Sequence, residues 1–517
     1  MGDPPANLLF LFSDQHAQRV AGCYGDAVVE TPNLDRLAAR GVTFDNAYTP
    51  SPICVPARMS MLTGRYPYEQ ECWTNDDILS SEFPTWPQAL GAAGLHAALI
   101  GRMHAMGADQ LRGYAEREIG DHSPNWPGVP RHDLGPLAKA NDPHRESIER
   151  SGVGRSAYQI LDEATAGAAV RWLDRWAEGN RTAGKARRFA LTVGFMLPHA
   201  PYVAEADDYG RFAGRVPAPL LPVPETEHPW LGWWRENRSA GEISAASAQR
   251  ARIAYYGLVS RLDALIGTVI DALERNNLAE NTLIVYASDH GEQIGERGLW
   301  WKHTFYDQSS KVPLIMSWPG HFKAGTRSSA VVSLHDAAAT MLDAMGAPAL
   351  PGSHGRSLAG IASGKTATWD DLIFGEYCTD AVPDWTGGMA VQQRMVRKGR
   401  WKYIEYNGFA PQLFDLDNDP DEVNDLAASS DHQALRAELA ALVRQGWNPD
   451  AVAERMRARR INKDFQATWA RQAHPTDQIR FEIPPEMNVL EQPGPKEPAQ
   501  GPVRLDVKQL PPGSEPA

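Results

Sequence analysis

Cys54 lies in the stretch SPICVPARMSMLTGRYP (residues 51–67), two positions before Pro56 and four before Arg58. A structural cysteine packs as a small hydrophobe and needs no such company. A nucleophilic one needs cationic charge close by, a helix N-terminus and partial exposure. The stretch is read as supplying all three. Pro56 suits a first helical turn, Arg58 falls about one turn from Cys54, and ARMSMLTG carries the helix to Gly64. Two carboxylates stand apart from this segment. Asp14 closes the apolar run NLLFLFSD, and Asp289 closes NTLIVYASD. Acidic oxygens at two strand ends are what a hard divalent cation takes as ligands.

Both runs read as buried strands, and RFALTVGFMLPHAPYV supplies a third that ends just before His199. Helical patterns lie between them, among them TPNLDRLAARG and RIAYYGLVSRLDALIGTVIDALERNNL. Strands alternating with helices predict an α/β fold with a mostly parallel sheet flanked by helices, and such sheets bind ligands beyond the carboxyl ends of their strands. Three strand ends then direct Asp14, Asp289 and His199 to one edge. The segment from about 118 to 155, rich in Pro, His, Asn and Arg, reads as a long functional loop. Residues 1–375 are expected to form the catalytic α/β domain. Residues 376–462, with MVRKGRWKYIEY and QLFDLDNDPDEVNDLA, form a smaller C-terminal α+β subdomain of antiparallel strands and a helix. Residues 463–517 form an irregular, proline-rich tail, expected to wrap over the body or over another subunit of a homo-oligomer, or to be partly disordered.

Length and composition bound the remainder. A chain of 517 residues exceeds one ordinary core, and 43% hydrophobic with 22% charged residues fits a globular protein. A net charge of −13 argues against a nucleic-acid or anionic-membrane binder, so an anionic substrate must be held by local charge. The N-terminus has no basic segment, its apolar run stops at Ser13, and no later run approaches transmembrane length. The four cysteines, Cys23, Cys54, Cys72 and Cys378, lack metal-knuckle spacing, and a reducing cytoplasmic setting is expected.

The segment CVPAR followed by TGR (63–65) resembles the signature of the sulfatase family within the alkaline-phosphatase superfamily. LLFLFSDQ resembles the family's first metal-binding strand, and TPNLDRLAARGVTFDNAY the helix leading to its nucleophile. IGRMH is similar to the Gly-Lys-x-His segment, YASDHGEQIGERGLWWKHTFYD to the second metal-binding segment, and WKYIEY with PQLFDLDNDPDE to the C-terminal subdomain. These matches fall in the family's order across most of the chain. GRMHAMGADQLRGYAER and HAPYVA look most like the choline-sulfatase branch.

The resemblance implies that Cys54 is oxidised to formylglycine by a separate maturation enzyme and that the aldehyde hydrate is the nucleophile. One hydroxyl of the geminal diol attacks, and deprotonation of the other later expels sulfate, which splits one hard step into two. It implies one divalent cation held by Asp14, Gln15, residue 54, Asp289 and His290. Gln15 and His290 stand where many members have Asp and Asn. An imidazole ligand softens the site, so Mn²⁺ is the alternative to the expected Ca²⁺. By the same resemblance Arg58, Arg102 and Lys302 cradle the sulfate. His104 handles the formylglycine hydroxyl proton, and His199 helps to protonate the leaving group. Arg102 replaces a usual lysine with a bulkier, forked cation. Asn75 is a candidate for the metal-side oxygens or a simple turn residue. Trp126 and Asp109 are candidates for the leaving-group pocket, and His16 and His303 are neighbours without a role. The expected activity is hydrolysis of a small-molecule sulfate ester. The alternative is a phosphonate monoester or phosphodiester hydrolase of the same fold.

Overall fold

Leu8, Phe10 and Phe12 of strand β1 (Asn7–Asp14) pack into one hydrophobic cluster and Leu9 and Leu11 into another, on opposite faces. Each such side chain contributes roughly 1.5–3 kcal/mol on full burial, and a strand apolar on both faces belongs inside a parallel sheet. The computed structural model describes residues 7–491, apart from 130, 131, 142, 184–186, 239, 241–242, 366–367 and 476–479. Its main sheet has eight strands in the order β10 (Thr326–Ser333), β2 (Val42–Tyr48), β9 (Leu314–Ser317), β8 (Thr282–Ser288), β1, β6 (Arg188–Pro198), β3 (Leu95–Gly101) and β4 (Glu116–Glu118). Every pairing is parallel except those of β9, so the sheet is mixed and mostly parallel. Helices flank it, among them Pro32–Ala39, Ala157–Ala183 and Ala245–Arg275.

The sheet order makes the site. Strands β8, β1 and β6 are parallel neighbours, with Ser13 beside Ser288 and Asp14 beside Pro198. Asp289, Asp14 and His199 therefore leave the sheet at the same edge. The register of β6 slips between the partners of Phe12 and Asp14. Asp162, from the helix Ala157–Ala183, accepts from the backbone N–H groups of Met196 and Leu197, each at 2.8 Å, where the ladder is interrupted. At the end of β3 the Arg102 N–H donates to Gly194 O at 2.8 Å. A Cβ on Gly194 would lie 1.8 Å from the Arg102 carbonyl oxygen, so only glycine lets the two strands converge here.

A four-stranded antiparallel sheet follows, β11 (Leu372–Cys378), β12 (Gln392–Lys398), β13 (Trp401–Tyr406) and β14 (Gln412–Asp415). It begins slightly before the expected boundary at 376. The expected irregular tail is different over its first part. A helix runs unbroken over Pro449–Ala473, across position 463. Val489–Glu491 then forms β15, which pairs with β5 (Gly152–Arg155), itself paired with β7 (Val203–Ala204), in a small third sheet. Residues 492–517 of the expected tail lie outside the described residues. Ala245–Arg275 is long and apolar enough to cross a membrane by length and composition, contrary to the sequence reading. Its apolar stretch is entirely buried in the protein, so it is a core helix.

Candidate active site

Cys54 opens the helix Cys54–Thr63, which Gly64 ends in a left-handed conformation (φ 71°). Ile53 at the cap has no side-chain oxygen to offer the first turn. Asn75 supplies it from elsewhere in the chain: its Oδ1 accepts from the Val55 N–H at 3.0 Å. Asn75 thus acts as a cap rather than a simple turn residue. Asn75→Ala is expected to cost about 1 kcal/mol of stability, as for other lost caps, read from the midpoint of denaturant unfolding.

The thiol is not partly exposed as expected; only 1% of Cys54 is accessible. Its Sγ lies 3.2 Å from His290 Nε2, 3.2 Å from Lys302 Nζ and 3.7 Å from Asp14 Oδ1. Burial, followed by the charge of Asp14, pushes the thiol up to about 11. Ligand atoms of Asp14, Cys54, Asp289 and His290 all fall within 4.8 Å of one another.

The donor set suits one divalent cation. His290 directs Nδ1 to its neighbour's carbonyl, Gly291 O, at 3.0 Å, which leaves the Nε2 lone pair facing the carboxylates. Asp289 Oδ1 accepts from the N–H groups of Gln15 (3.0 Å) and His290 (2.9 Å). Oδ2 of each aspartate is held from behind. Arg58 reaches Asp289 at 2.8 Å and Asp14 at 3.1 Å, and Arg102 reaches Asp14 at 2.7 Å. Burial raises Asp14, but Arg102 and then Arg58, His199 and Lys302 outweigh it and hold the carboxyl well below its usual range. Burial, only partly offset by Asp289, lowers His290, which favours the neutral imidazole.

This geometry corrects the reading of Arg58. The side chain is fully buried, is committed to both aspartates and does not line the cavity, so it orients the carboxylates instead of cradling sulfate. The cavity, of about 160 Å³, is walled by Cys54, Arg102, His104, His199, Lys302 and Trp126 among others. Arg102 also pairs with Asp121 at 2.9 Å and donates to His104 Nδ1 at 2.7 Å, which puts the His104 ring proton on Nε2. Burial and then the Arg102 charge hold His104 well below its usual value. His199 Nδ1 donates to Ala200 O at 2.6 Å, so its Nε2 accepts from Lys302 Nζ at 3.1 Å. Burial and then Lys302 push His199 well down too. Gln15, expected among the metal ligands, instead directs Oε1 to Lys302 Nζ at 2.7 Å and Nε2 to Glu292 and Tyr202.

Asp109 does not reach the cavity; it accepts from Ser81 Oγ at 3.3 Å and from the Arg112 N–H at 2.9 Å. His16 is held by Tyr286 and the Val20 carbonyl and is structural. His303 lines the cavity against Trp234, with ring centroids 4.5 Å apart. Four features escaped the sequence reading: Asp121, Glu292, Tyr202 and the C-terminal wall. Asp121 lies in the loop after β4 and accepts from the N–H groups of Met103 and His104, at 3.2 and 2.6 Å. In the wall, Trp469 packs edge-on against Trp126 with centroids 4.9 Å apart, and Ile483 reaches the cavity.

A family model described as Sulfatase matches residues 6–347. The chain belongs to the sulfatase family. It is a sulfuric ester hydrolase with an alkaline-phosphatase-like fold. A second model, N-sulphoglucosamine sulphohydrolase, C-terminal, matches residues 295–447. The sulfatase is 31% identical over 463 residues to the choline-sulfatase of Rhizobium meliloti (strain 1021), covering 84% of this chain and 85% of that one. It is 29% identical over 443 residues to arylsulfatase K of Homo sapiens, covering 81% and 78%. Among solved structures, the phosphonate monoester hydrolase of Agrobacterium radiobacter superposes with a TM-score of 0.71 at 24% identity, over 85% of this chain and 94% of that one, a likeness of fold alone.

Proposed function

We propose that this sulfatase hydrolyses a compact alkyl sulfate ester with residue 54 as formylglycine, and that Lys302 is the acid for the leaving oxygen. The observation that carries the reading is the position of Lys302 Nζ, 3.2 Å from Sγ of residue 54 and 3.1 Å from His199 Nε2. Sγ stands where the hydrate oxygens of the oxidised side chain would sit. Formylglycine would supply the attacking oxygen there and a second hydroxyl for release of sulfate. Asp14, Asp289, His290 and residue 54 are the proposed holders of one divalent cation, Ca²⁺ or else Mn²⁺, which when bound would lower the charge on the sulfate and its nucleophile.

The protein's own groups do the rest. Arg102 lines the cavity as a fixed cation, anchored by Asp14 and Asp121. His104 presents Nε2–H as a hydrogen-bond donor; taking a proton at that atom requires Arg102 to release Nδ1. An alkyl alcohol leaves poorly, so its oxygen needs a proton as the S–O bond breaks. The Lys302 ammonium carries that proton, and the His199 Nε2 lone pair aligns it. The R. meliloti relative is a choline-sulfatase, and Trp126 and Tyr158 offer aromatic faces in the cavity wall, so choline sulfate heads the candidate substrates.

The test is a panel of choline sulfate, an aryl sulfate, a phosphodiester and a phosphonate monoester, run on wild type and Lys302→Ala. Sulfate esters are expected to give the highest kcat/KM. Lys302→Ala is expected to lower turnover of the alkyl ester at least about a hundredfold while sparing the aryl ester. A wild-type preference for the phosphodiester or phosphonate over every sulfate ester would overturn the reading. An equal loss on alkyl and aryl esters would remove Lys302 from the acid role.

A further inference from the structure

Glu292 is a fully buried carboxylate, and among the described residues no arginine, lysine or histidine forms an ion pair with it. A buried acid is ordinarily paired. Four donors satisfy this one instead. Oε1 accepts from the backbone N–H groups of Ile294 (2.8 Å) and Trp301 (2.6 Å), and Oε2 accepts from Tyr202 Oη (2.7 Å) and from Gln15 Nε2. The two backbone bonds fix the carboxylate. Burial pushes Glu292 up, while the donors of Ile294, Tyr202, Gln15 and Trp301 favour its charged form, in which Oε2 faces Gln15 as an acceptor.

Gln15 is pinned on its main chain as well. It adopts a left-handed conformation (φ 68°), its N–H donates to Asp289, and its carbonyl accepts from Tyr255 Oη at 2.7 Å. Only the direction of its amide is left to choose. An amide is nearly symmetric in shape, so its partners decide which end points where. Tyr202 spends its hydroxyl proton on Glu292 and can only accept from Gln15 Nε2, at 3.3 Å. Both neighbours on that side demand the NH₂ group. Gln15 Oε1 is thereby turned to Lys302 Nζ, whose other two contacts are Sγ of residue 54 and His199 Nε2. Reversing the amide would set its oxygen against a carboxylate and its NH₂ against an ammonium.

We propose that Glu292 and Tyr202 are positioning residues: they fix the direction of the Gln15 amide and through it aim the Lys302 ammonium at residue 54, although neither touches Lys302. The proposal rests on the sulfatase reading with Lys302 as the acid. Glu292→Gln is the sharpest probe. The backbone N–H groups of Ile294 and Trp301 hold an oxygen at the Oε1 position, so the new NH₂ faces Gln15 and forces its amide to reverse. The double variant Gln15→Glu/Glu292→Gln restores the pattern, since the carboxylate introduced at position 15 would accept from the new NH₂ with one oxygen and from Lys302 with the other.

The experiment measures kcat and KM for choline sulfate and for nitrophenyl sulfate, with bound metal quantified in each full-length variant. Glu292→Gln is expected to lower kcat on choline sulfate at least about tenfold, with nitrophenyl sulfate and both KM values changed less than about threefold. The double variant should recover most of the loss, and Tyr202→Phe should show the same selectivity with a smaller effect. Equal losses on both esters, wild-type kinetics in Glu292→Gln, a rate loss matched by lost metal, or no recovery in the double variant would each overturn the proposal. If Glu292→Gln does not fold, Tyr202→Phe decides: a selective loss supports the proposal, and a uniform loss or none overturns it. A failure of the sulfatase reading is distinct, because only then does the wild-type enzyme turn over neither sulfate ester.

Discussion

Cys54→Ala is expected to lower kcat/KM on any sulfate ester at least about a thousandfold, the scale on which enzymes lose turnover with their nucleophile. The substitution removes few packed atoms and leaves Lys302 with Gln15 and His199 as acceptors, so the unfolding midpoint should barely move. The unmodified thiol is a poor candidate for the same task. A thiol carries no second hydroxyl with which to expel the sulfate it would accept. Peptide mass spectrometry of active protein should therefore find an aldehyde or its hydrate at position 54. Full turnover from wholly unmodified Cys54 would refute the assignment.

Asp14→Asn is expected to weaken metal binding at least about a hundredfold and to abolish turnover with it. Asparagine is the informative choice. Asp14 Oδ2 accepts from both Arg58 and Arg102, so alanine would take one of two carboxylate partners from each buried guanidinium and leave only Asp289 and Asp121 to hold them. Asparagine keeps an oxygen for them and removes the charge that the cation needs. Atomic spectroscopy of desalted protein, beside an unfolding curve, separates loss of metal from loss of fold. Unchanged metal content and turnover in a folded Asp14→Asn protein would place the cation elsewhere.

The parts of the site legible in the sequence are those governed by local rules. An apolar run ending in an acid predicts a buried strand with a carboxylate at its carboxyl end, and β1 with Asp14 and β8 with Asp289 have that form. Pro56 and Gly64 likewise bound the helix that Cys54 opens. Roles set by distant partners were not legible. Arg58 is directed away from the cavity by Asp14 and Asp289, 44 and 231 positions away, and nothing in CVPAR encodes that choice. Glu292 lay within a recognised segment, but its partner Gln15 is 277 positions distant. At the C-terminal end, a high average proline content concealed INKDFQATWARQA, which has no helix breaker and remains helical to Ala473.

The helix Pro449–Ala473 is a brace as well as a wall. Lys463 Nζ reaches Asp77 at 2.7 Å and Thr74 Oγ1 at 3.0 Å, and Arg459 meets Glu71 at 3.1 Å, around the turn that holds Asn75. Residues far along the chain cover Cys54 as well, and that order sets a clock on synthesis. If residue 54 is formylglycine as proposed, the protein that oxidises it must reach a thiol that is only 1% accessible in the folded chain. Lys302, which packs against Sγ, is 248 positions further along, so at about 5–20 residues per second the ribosome leaves position 54 without that cover for roughly 12 to 50 s. On that reading, slower elongation between residues 54 and 302 should raise the fraction of aldehyde at position 54, and faster synthesis should lower it.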